Sequence, residues 1–153
     1  MRQRGATAVQ APPEAIFEAL ERDRTGLNND DLGRNDPDCG VPYGLGYRFV
    51  TRQFHGGHIC STRNEVTVFD APRLVVEQWE QECPARGKTV SGTLRFEVIV
   101  DRGGTTLVRD ITTRSRGFAP MEALAGALCN RGRLLAKQIG MRAEALTLWT
   151  SPA

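Results

Sequence analysis

Two residues of opposite charge, Glu77 and Arg109, lie in segments whose apolar residues alternate along the chain. Successive side chains of a β-strand point to opposite faces, so the alternation predicts which of them face inward. Arg109 lies between Leu107 and Ile111, the larger apolar pair of its strand, and we expect it to point inward with them. The phase around Glu77 is ambiguous, but burying the large apolar surface of Trp79 also places Glu77 inside.

A buried charge without a partner costs several kcal/mol, so these two residues have two interpretations. Glu77 and Arg109 either pair with each other or lie half-exposed at the mouth of a pocket, and then do no chemistry. Alternatively, burial shifts the pKa of Glu77 so that it acts as an acid or base, and Arg109 binds a carbonyl or enolate oxygen of a ligand. The sequence leaves both open and makes Glu77 and Arg109 the candidate catalytic residues.

Histidine and cysteine offer a weaker candidate, a metal site. His55, His58 and Cys60, with Cys83, could supply four zinc ligands, but His55-Gly-Gly-His58 is typical of a hairpin turn. The four cysteines have no CxxC spacing, so we expect free thiols. The sequence contains no nucleophile motif, no glycine-rich phosphate loop and no calcium-loop spacing. We therefore expect neither a metal nor a cofactor.

The element that positions these side chains is a long amphipathic stretch, residues 119–149. Its glycines, Gly126, Gly132 and Gly140, suggest close approach or room beside the helix, or a kink. Pro120 suits the first helical turn. The apolar residues recur at steps of three, four or seven and keep to one side of a helix: Met121, Leu124, Leu128, Leu135, Ile139, Leu146 and Trp149.

Upstream, the pattern is mostly that of strands. We predict a strand at 5–10 and a helix from 11 to about 22, with Ile16, Phe17, Ala19 and Leu20 on its apolar side. Residues 23–45 are rich in Gly, Asn, Asp and Pro and predict an irregular, mobile connection. Five antiparallel strands joined by short turns follow, at about 46–54, 59–69, 74–81, 90–100 and 105–115. The order predicts an α+β fold with a sheet wrapped around the long helix.

The alternation also predicts the remaining inward-facing side chains of the sheet. Some of them would stack on a planar ligand or serve as plain core residues, namely Tyr47, Trp79 and Phe96. The full inward set of the other strands is Tyr47, Phe49 and Thr51, then Thr62, Asn64, Val66 and Val68, then Leu94, Phe96, Val98 and Val100.

Four segments, in the same order, resemble the polyketide cyclase/dehydrase-like proteins of the START/Bet v 1 (SRPBCC) superfamily. They are VQAPPEAIF at 9–17, EVTVFDAPR at 65–73, GGTTL at 103–107 and MRAEA at 141–145. The resemblance implies one domain over 1–153 with the helix-grip fold, a curved antiparallel sheet around a long C-terminal helix with an internal cavity. Residues 23–45 depart from the family pattern. The arginine that cyclases of the family often carry on the strand holding Val66 is absent.

The resemblance implies an apolar cavity for a small apolar or aromatic organic ligand. Together with Arg109 and Glu77, it favours a cofactor-independent cyclase or dehydratase of secondary metabolism that acts on a polyketide-like or aromatic metabolite. The alternative is a non-catalytic binding or carrier protein. The entrance is expected at 23–45, with the 55–58 turn beside it. The expected ligand-binding residues are Tyr47, Phe49, Asn64, Trp79, Phe96, Met121, Leu124 and Leu128.

Composition limits the other classes of partner. The 153 residues carry a net charge of +2, and the basic residues are scattered among acidic ones, which argues against a nucleic-acid partner. No apolar run approaches the roughly 20 residues of a membrane span, and the first residues lack the apolar segment of a signal peptide. We expect a soluble, cytoplasmic protein without a membrane partner, and a homodimer remains open.

Overall fold

The computed structural model describes residues 2–26, 34–55, 58–83, 88–116 and 136–148. Residues 136–148 are helical and are called the C-terminal helix below. The other elements are, in chain order, β1 (Arg2–Val9), α1 (Pro13–Arg24), β2 (Arg34–Pro37), β3 (Arg48–His55), β4 (His58–Asp70), β5 (Leu74–Cys83), β6 (Lys88–Asp101) and β7 (Gly104–Arg116).

The seven strands form one curved sheet in the order β1-β7-β6-β5-β4-β3-β2. Every neighbouring pair is antiparallel, because strands β3 to β7 follow one another through short connections. The connection at Asp70–Arg73 is a turn closed by the Arg73 amide, which donates to the Asp70 carbonyl at 2.7 Å. Gly104 adopts a φ of 117° in the turn between β6 and β7, a conformation that glycine adopts readily. The predicted antiparallel sheet with a C-terminal helix is confirmed.

Helix α1 begins at Pro13, where the missing N–H of proline has no helical partner to lose. The predicted apolar side is buried, and Ile16 and Leu20 are each only 1% exposed. The helix continues to Arg24, two residues beyond the predicted end. That extra length carries Asp23 and Arg24 onto the buried side, seven and eight residues after Ile16.

The segment predicted as an irregular connection contains a strand. β2 pairs with β3 at the edge of the sheet, with Asn35 opposite Thr51. Its sequence, RNDP, shows no apolar alternation, so backbone pairing and the buried side chain of Asn35 hold it in place. Residues 27–33 lie outside the described residues, and the entrance expected at 23–45 stays a prediction.

The inner face of the sheet has the predicted phase in most strands. Glu77 and Arg109 are 1% and 2% exposed, as expected of inward-facing residues. The buried apolar set on this face includes Val9, Tyr47, Phe49, Val66, Val75, Trp79, Val90, Phe96, Val98, Leu107 and Ile111.

Two predicted inward residues, Val68 and Val100, face solvent instead. The register of β4 against β5 shifts between Val66 and Val68, so an extra residue moves Val68 to the outer face, where it is 42% exposed. The same shift turns Phe69 toward the core. Val100 is 62% exposed because it lies beside the turn between β6 and β7.

The C-terminal helix packs on the core through Ala136, Ile139 and Ala143. A Cβ atom at Gly140 would lie 3.2 Å from Cγ2 of Val9, so this glycine permits the close approach that the sequence suggested. The helix predicted for 119–149 is confirmed over 136–148. The other predicted residues, with Met121, Leu124 and Leu128, lie outside the described residues.

We predict that Gly92→Ala destabilises the protein. A Cβ atom there would lie 1.9 Å from the Thr112 carbonyl oxygen and 2.8 Å from Cζ2 of Trp79, the residue opposite Gly92 on β5. The backbone must move, so we expect a loss of at least about 1–3 kcal/mol in the free energy of unfolding, measured with urea. Gly40→Ala is the control, because nothing lies within 4 Å of its Cβ position. Equal stabilities of the two variants would contradict the prediction.

Candidate functional site

The last turn of α1 aims the side chain of Arg24 at Glu77 on β5. Nε of Arg24 donates to Oε1 of Glu77 at 2.8 Å, and Nη2 donates to Oε2 at 3.0 Å. The side chains of Arg24 and Glu77 are 6% and 1% exposed, so this is a buried, two-pronged ion pair. Glu77 thus lies inside as predicted, and the partner of its carboxylate is Arg24 rather than Arg109.

Asp23 supplies a second carboxylate and links the pair to the C-terminal helix. Its Oδ2 accepts from Nη1 of Arg24 at 2.9 Å, and its Oδ1 accepts from Nη1 of Arg142 at 3.0 Å. Asn35 donates to the Asp23 carbonyl at 2.8 Å and to Oδ2 at 3.2 Å. We call Asp23, Arg24, Glu77 and Arg142 the buried ion network. It connects α1, β5 and the C-terminal helix.

Aromatic rings enclose the charged end of Arg24. Its guanidinium carbon lies 5.3 Å from the ring centre of Phe49 and 5.5 Å from that of Phe96. A cation near an aromatic face is attracted by the electron density of the ring, more strongly where water is excluded. The hydroxyl of Tyr47 donates to the Arg24 carbonyl at 3.4 Å. The guanidinium is therefore fixed in both position and orientation.

Asn64, an expected ligand-binding residue, uses its amide group within the protein. Its Nδ2 donates to Oγ1 of Thr51 at 3.1 Å and to the Thr62 carbonyl at 3.0 Å. The Thr51 hydroxyl in turn donates to Oδ1 of Asn35 at 2.7 Å. This chain of hydrogen bonds holds β2, β3 and β4 beside the buried ion network. A ligand contact by Asn64 stays a prediction.

Burial is the largest influence on both partners of the ion pair. It lowers the pKa of Arg24, but the carboxylates of Glu77 and Asp23 outweigh it, so this pKa is raised and the guanidinium stays charged. Burial raises the pKa of Glu77, and Asp23 adds to the rise, while Arg24 opposes it through charge and hydrogen bonds. The pKa of Glu77 remains raised, which makes its carboxylate a stronger base than that of an ordinary glutamate.

Arg109 lies on the same inner face, opposite Phe96 on β6 and Gly5 on β1. A Cβ atom at Gly5 would lie 3.7 Å from Nη2 of Arg109, so the guanidinium extends over β1 at a residue without a side chain. Glu77 lies opposite Leu94 on β6, whereas Arg109 lies opposite Phe96, two residues further along that strand. The structure therefore confirms the interior position of Arg109, and a role toward a ligand stays a prediction.

The other predicted site residues divide into two groups. Tyr47, Phe49, Trp79 and Phe96 are buried on the inner face, as their predicted inward phase requires, and ligand contacts by these four stay a prediction. Cys39 is a free thiol, as predicted. β3 and β4 pair as far as His55 opposite His58, as a hairpin requires, and residues 56–57 lie outside the described residues. The side chains of the suggested zinc site, and those of Met121, Leu124 and Leu128, lie outside the described residues. Within the described part of the chain, no three metal-binding side chains are grouped together.

Sequence reasoning missed several residues of the site, namely Asp23, Arg24, Asn35 and Arg142, and also Tyr43, whose ring contacts that of Tyr47. A signal for two of them was present. The apolar side of α1 begins at Ile16, and helical periodicity carried seven and eight residues further reaches Asp23 and Arg24. Asn35, Tyr43 and Arg142 offered no comparable pattern.

The helices in the described ranges are too short or too polar to span a lipid bilayer.

We predict that Glu77→Leu costs about 3–5 kcal/mol in the free energy of unfolding, because it leaves the charge of Arg24 with one carboxylate fewer. The double variant Arg24→Met/Glu77→Leu should recover most of this loss, since an apolar pair of similar size removes both members of the ion pair, and Asp23 keeps Arg142 as its partner. Urea denaturation of the wild type and the variants measures both effects. A double variant as unstable as Glu77→Leu would contradict the assigned pairing.

Glu77→Gln should change how stability depends on pH. Because the folded pKa of Glu77 lies above its ordinary value of 4.5, its stabilising contribution is complete below that value and is lost as the pH rises through the folded pKa. Glutamine does not titrate, so the free energy of unfolding of the variant should rise relative to wild type as the pH is raised above 4.5. The exposed Glu80→Gln serves as the control, and parallel pH profiles for Glu77→Gln and wild type would contradict this sign.

No protein-family model and no curated protein matches the sequence. Solved structures do match. Ara h 8.0201 superposes with a TM-score of 0.73 at 13% identity, over 95% of this chain and 98% of that one. The ginseng major latex-like protein 151 from Panax ginseng gives 0.62 at 13% identity, over 95% of each chain.

A third structure is StfQ, the di-domain ARO/CYC from the steffimycin biosynthetic pathway. Its TM-score is 0.71 at 16% identity, over 95% of this chain and 52% of StfQ. These likenesses show the fold and confirm at that level the resemblance seen in the sequence. The chain has the helix-grip fold, which it shares with these three structures.

Proposed function

We propose that this protein binds a small apolar or aromatic ligand between the inner face of the sheet and the C-terminal helix. We further propose that it is a cofactor-independent enzyme of the cyclase or dehydratase type, acting on a polyketide-like or aromatic metabolite. The observation that carries this proposal is the Arg24–Glu77 pair, buried between the rings of Phe49 and Phe96.

The composition of the inner face supports an enzyme. An apolar ligand needs only an apolar wall, which Trp79, Phe49 and Phe96 supply. Two buried guanidinium groups, those of Arg24 and Arg109, add positive charge suited to a carbonyl or enolate oxygen. StfQ is an ARO/CYC by name, so a protein of this fold is associated with such chemistry.

The proposed reaction begins with proton transfer. The Glu77 carboxylate removes a proton from the carbon next to a ligand carbonyl, and the electron pair of that C–H bond moves to the carbonyl oxygen. Arg24 and Arg109 stabilise the resulting enolate charge. In a polyketide-like chain the enolate carbon attacks a second carbonyl carbon, and the protonated Glu77 returns its proton to the new alkoxide. Loss of water from that alcohol completes a dehydration.

A carrier without catalysis is the second candidate, and one observation favours it. Both carboxylate oxygens of Glu77 accept hydrogen bonds from Arg24, so ion pairing alone accounts for the presence of this charge inside the protein. In that case the aromatic wall binds an apolar ligand, and the buried ion network only holds the elements together.

Deuterium exchange separates the two candidates. We expect the wild type to accelerate exchange of the methyl protons of 2-acetylnaphthalene in D2O, followed by NMR, because this step is the proposed enolisation. Glu77→Gln should reduce the enzymatic exchange about 100-fold or more. Arg109→Leu should reduce exchange while the protein remains folded. Glu80→Gln, an exposed change on the same strand, should leave exchange unaffected.

Two results would count against the enzyme. Binding of the naphthalene to the wild type without accelerated exchange would support the carrier. Exchange that persists in Glu77→Gln would remove Glu77 as the base. Circular dichroism of each variant confirms that a loss of exchange does not come from unfolding.

A further inference from the structure

We propose that Tyr43 is a ligand-binding residue whose hydroxyl donates a hydrogen bond to a carbonyl oxygen of the ligand. This inference rests on the proposed function and narrows its ligands to apolar or aromatic molecules that carry a carbonyl group. The observation behind this inference concerns a single atom. The Tyr43 hydroxyl oxygen is buried and, in the part of the chain that the structure describes, has no hydrogen-bond partner.

Such a hydroxyl is a disadvantage to the free protein. A buried polar group without a partner costs about 1–3 kcal/mol, and a phenylalanine at this position would fill the same space without that penalty. Tyr47 provides the contrast, because its ring contacts that of Tyr43 while its own hydroxyl donates to the Arg24 carbonyl. Of these two tyrosines in contact, Tyr47 uses its hydroxyl donor within the described structure and Tyr43 does not.

Packing of the aromatic ring fixes the position of the Tyr43 hydroxyl oxygen. The Tyr43 ring meets Tyr47 edge-on, with ring centres 5.4 Å apart and planes at 73°, and meets Phe69 at 5.6 Å and 88°. Two such contacts restrict rotation of the ring. The hydroxyl is therefore already in place before a ligand binds, so binding does not have to order it.

The charges around Tyr43 keep the hydroxyl a donor. Burial raises its pKa well above the ordinary value of 10.0, and the negative charges of Glu77, Asp23 and Glu21 raise it further, while Arg24 lowers it. The phenol is thus protonated at neutral pH. A protonated phenol can donate to a carbonyl oxygen, whereas an aliphatic group offers it no acceptor.

One side of the Tyr43 ring borders the protein surface. It lines a cleft of about 300 Å³ between α1 and the turn after β4. The apolar side chains of Phe17, Phe69 and Pro72 line this cleft too, and so do three glutamates of α1, namely Glu14, Glu18 and Glu21. The charges of Glu77 and Arg24 act on the Tyr43 hydroxyl, so Tyr43 lies close both to this cleft and to the ion pair. A side chain in such a position contacts both apolar and polar groups, as a residue that binds an aromatic ketone must.

Two ligands of nearly equal shape test the assignment. 2-Acetylnaphthalene carries a carbonyl oxygen, and 2-ethylnaphthalene does not. We expect the wild type to bind the acetyl compound about tenfold more tightly, as one buried hydrogen bond allows. Tyr43→Phe should lose that preference and keep its affinity for 2-ethylnaphthalene. Thr67→Val is the control, because it removes a hydroxyl that already donates within the protein to the Val76 carbonyl, and it should retain the preference.

Thermal unfolding without ligand supplies an independent readout. Tyr43→Phe should melt at the same temperature as the wild type or higher, because it removes an unpaired buried hydroxyl, whereas Tyr47→Phe should melt lower. A preference for the acetyl compound that survives in Tyr43→Phe would overturn the assignment. So would a Tyr43→Phe variant that melts several degrees below wild type, since its hydroxyl would then have a partner in the free protein.

The same data separate this inference from the proposed function. Failure of both naphthalenes to bind the wild type would reject the proposed pocket and the role of Tyr43 with it. Binding of both, with no difference between the wild type and Tyr43→Phe, would reject only the role of Tyr43.

Discussion

The ion pair between Arg24 and Glu77 is the interaction on which the interior of this protein depends. Removing a charged group from water carries an effective penalty of several kcal/mol per ion, and only close, well-oriented partners offset it. Those partners come from different elements, since Glu77 lies on β5, Asp23 and Arg24 end α1, and Arg142 belongs to the C-terminal helix. Each charge is therefore compensated only when all three elements are in their folded positions.

This dependence explains why α1 ends where it does. A helix that stopped at Arg22 would leave Glu77 inside the sheet without a cation. Two more residues bring Arg24 between Phe49 and Phe96, where its charge is attracted both by the carboxylate and by the rings. The same turn places Asp23 where Asn35 and Arg142 hold it, so the end of α1 acts as the meeting point of sheet, edge strand and C-terminal helix.

Strand alternation was enough to predict that Glu77 and Arg109 lie inside, because burying Trp79 in one strand and Leu107 in another fixes the phase of their neighbours. It could not predict the partner of Glu77, since Arg24 is 53 residues away along the chain and a charge at a helix end is usually exposed. The bulge after Val66 left no mark in the pattern of apolar residues. The edge strand around Asn35 was missed because hydrogen bonds, rather than apolar burial, hold it.

The hydrogen-bond geometry of Arg24 allows the network to be structural and to bind a ligand as well. A guanidinium group has five N–H donors. Three of them donate to Glu77 and Asp23, one each from Nε, Nη1 and Nη2. In the described contacts this leaves one donor on Nη1 and one on Nη2, both on a group enclosed by Phe49 and Phe96. A carbonyl oxygen that accepts from these donors would leave the ion pair intact, so binding a ligand need not expose an unpaired charge.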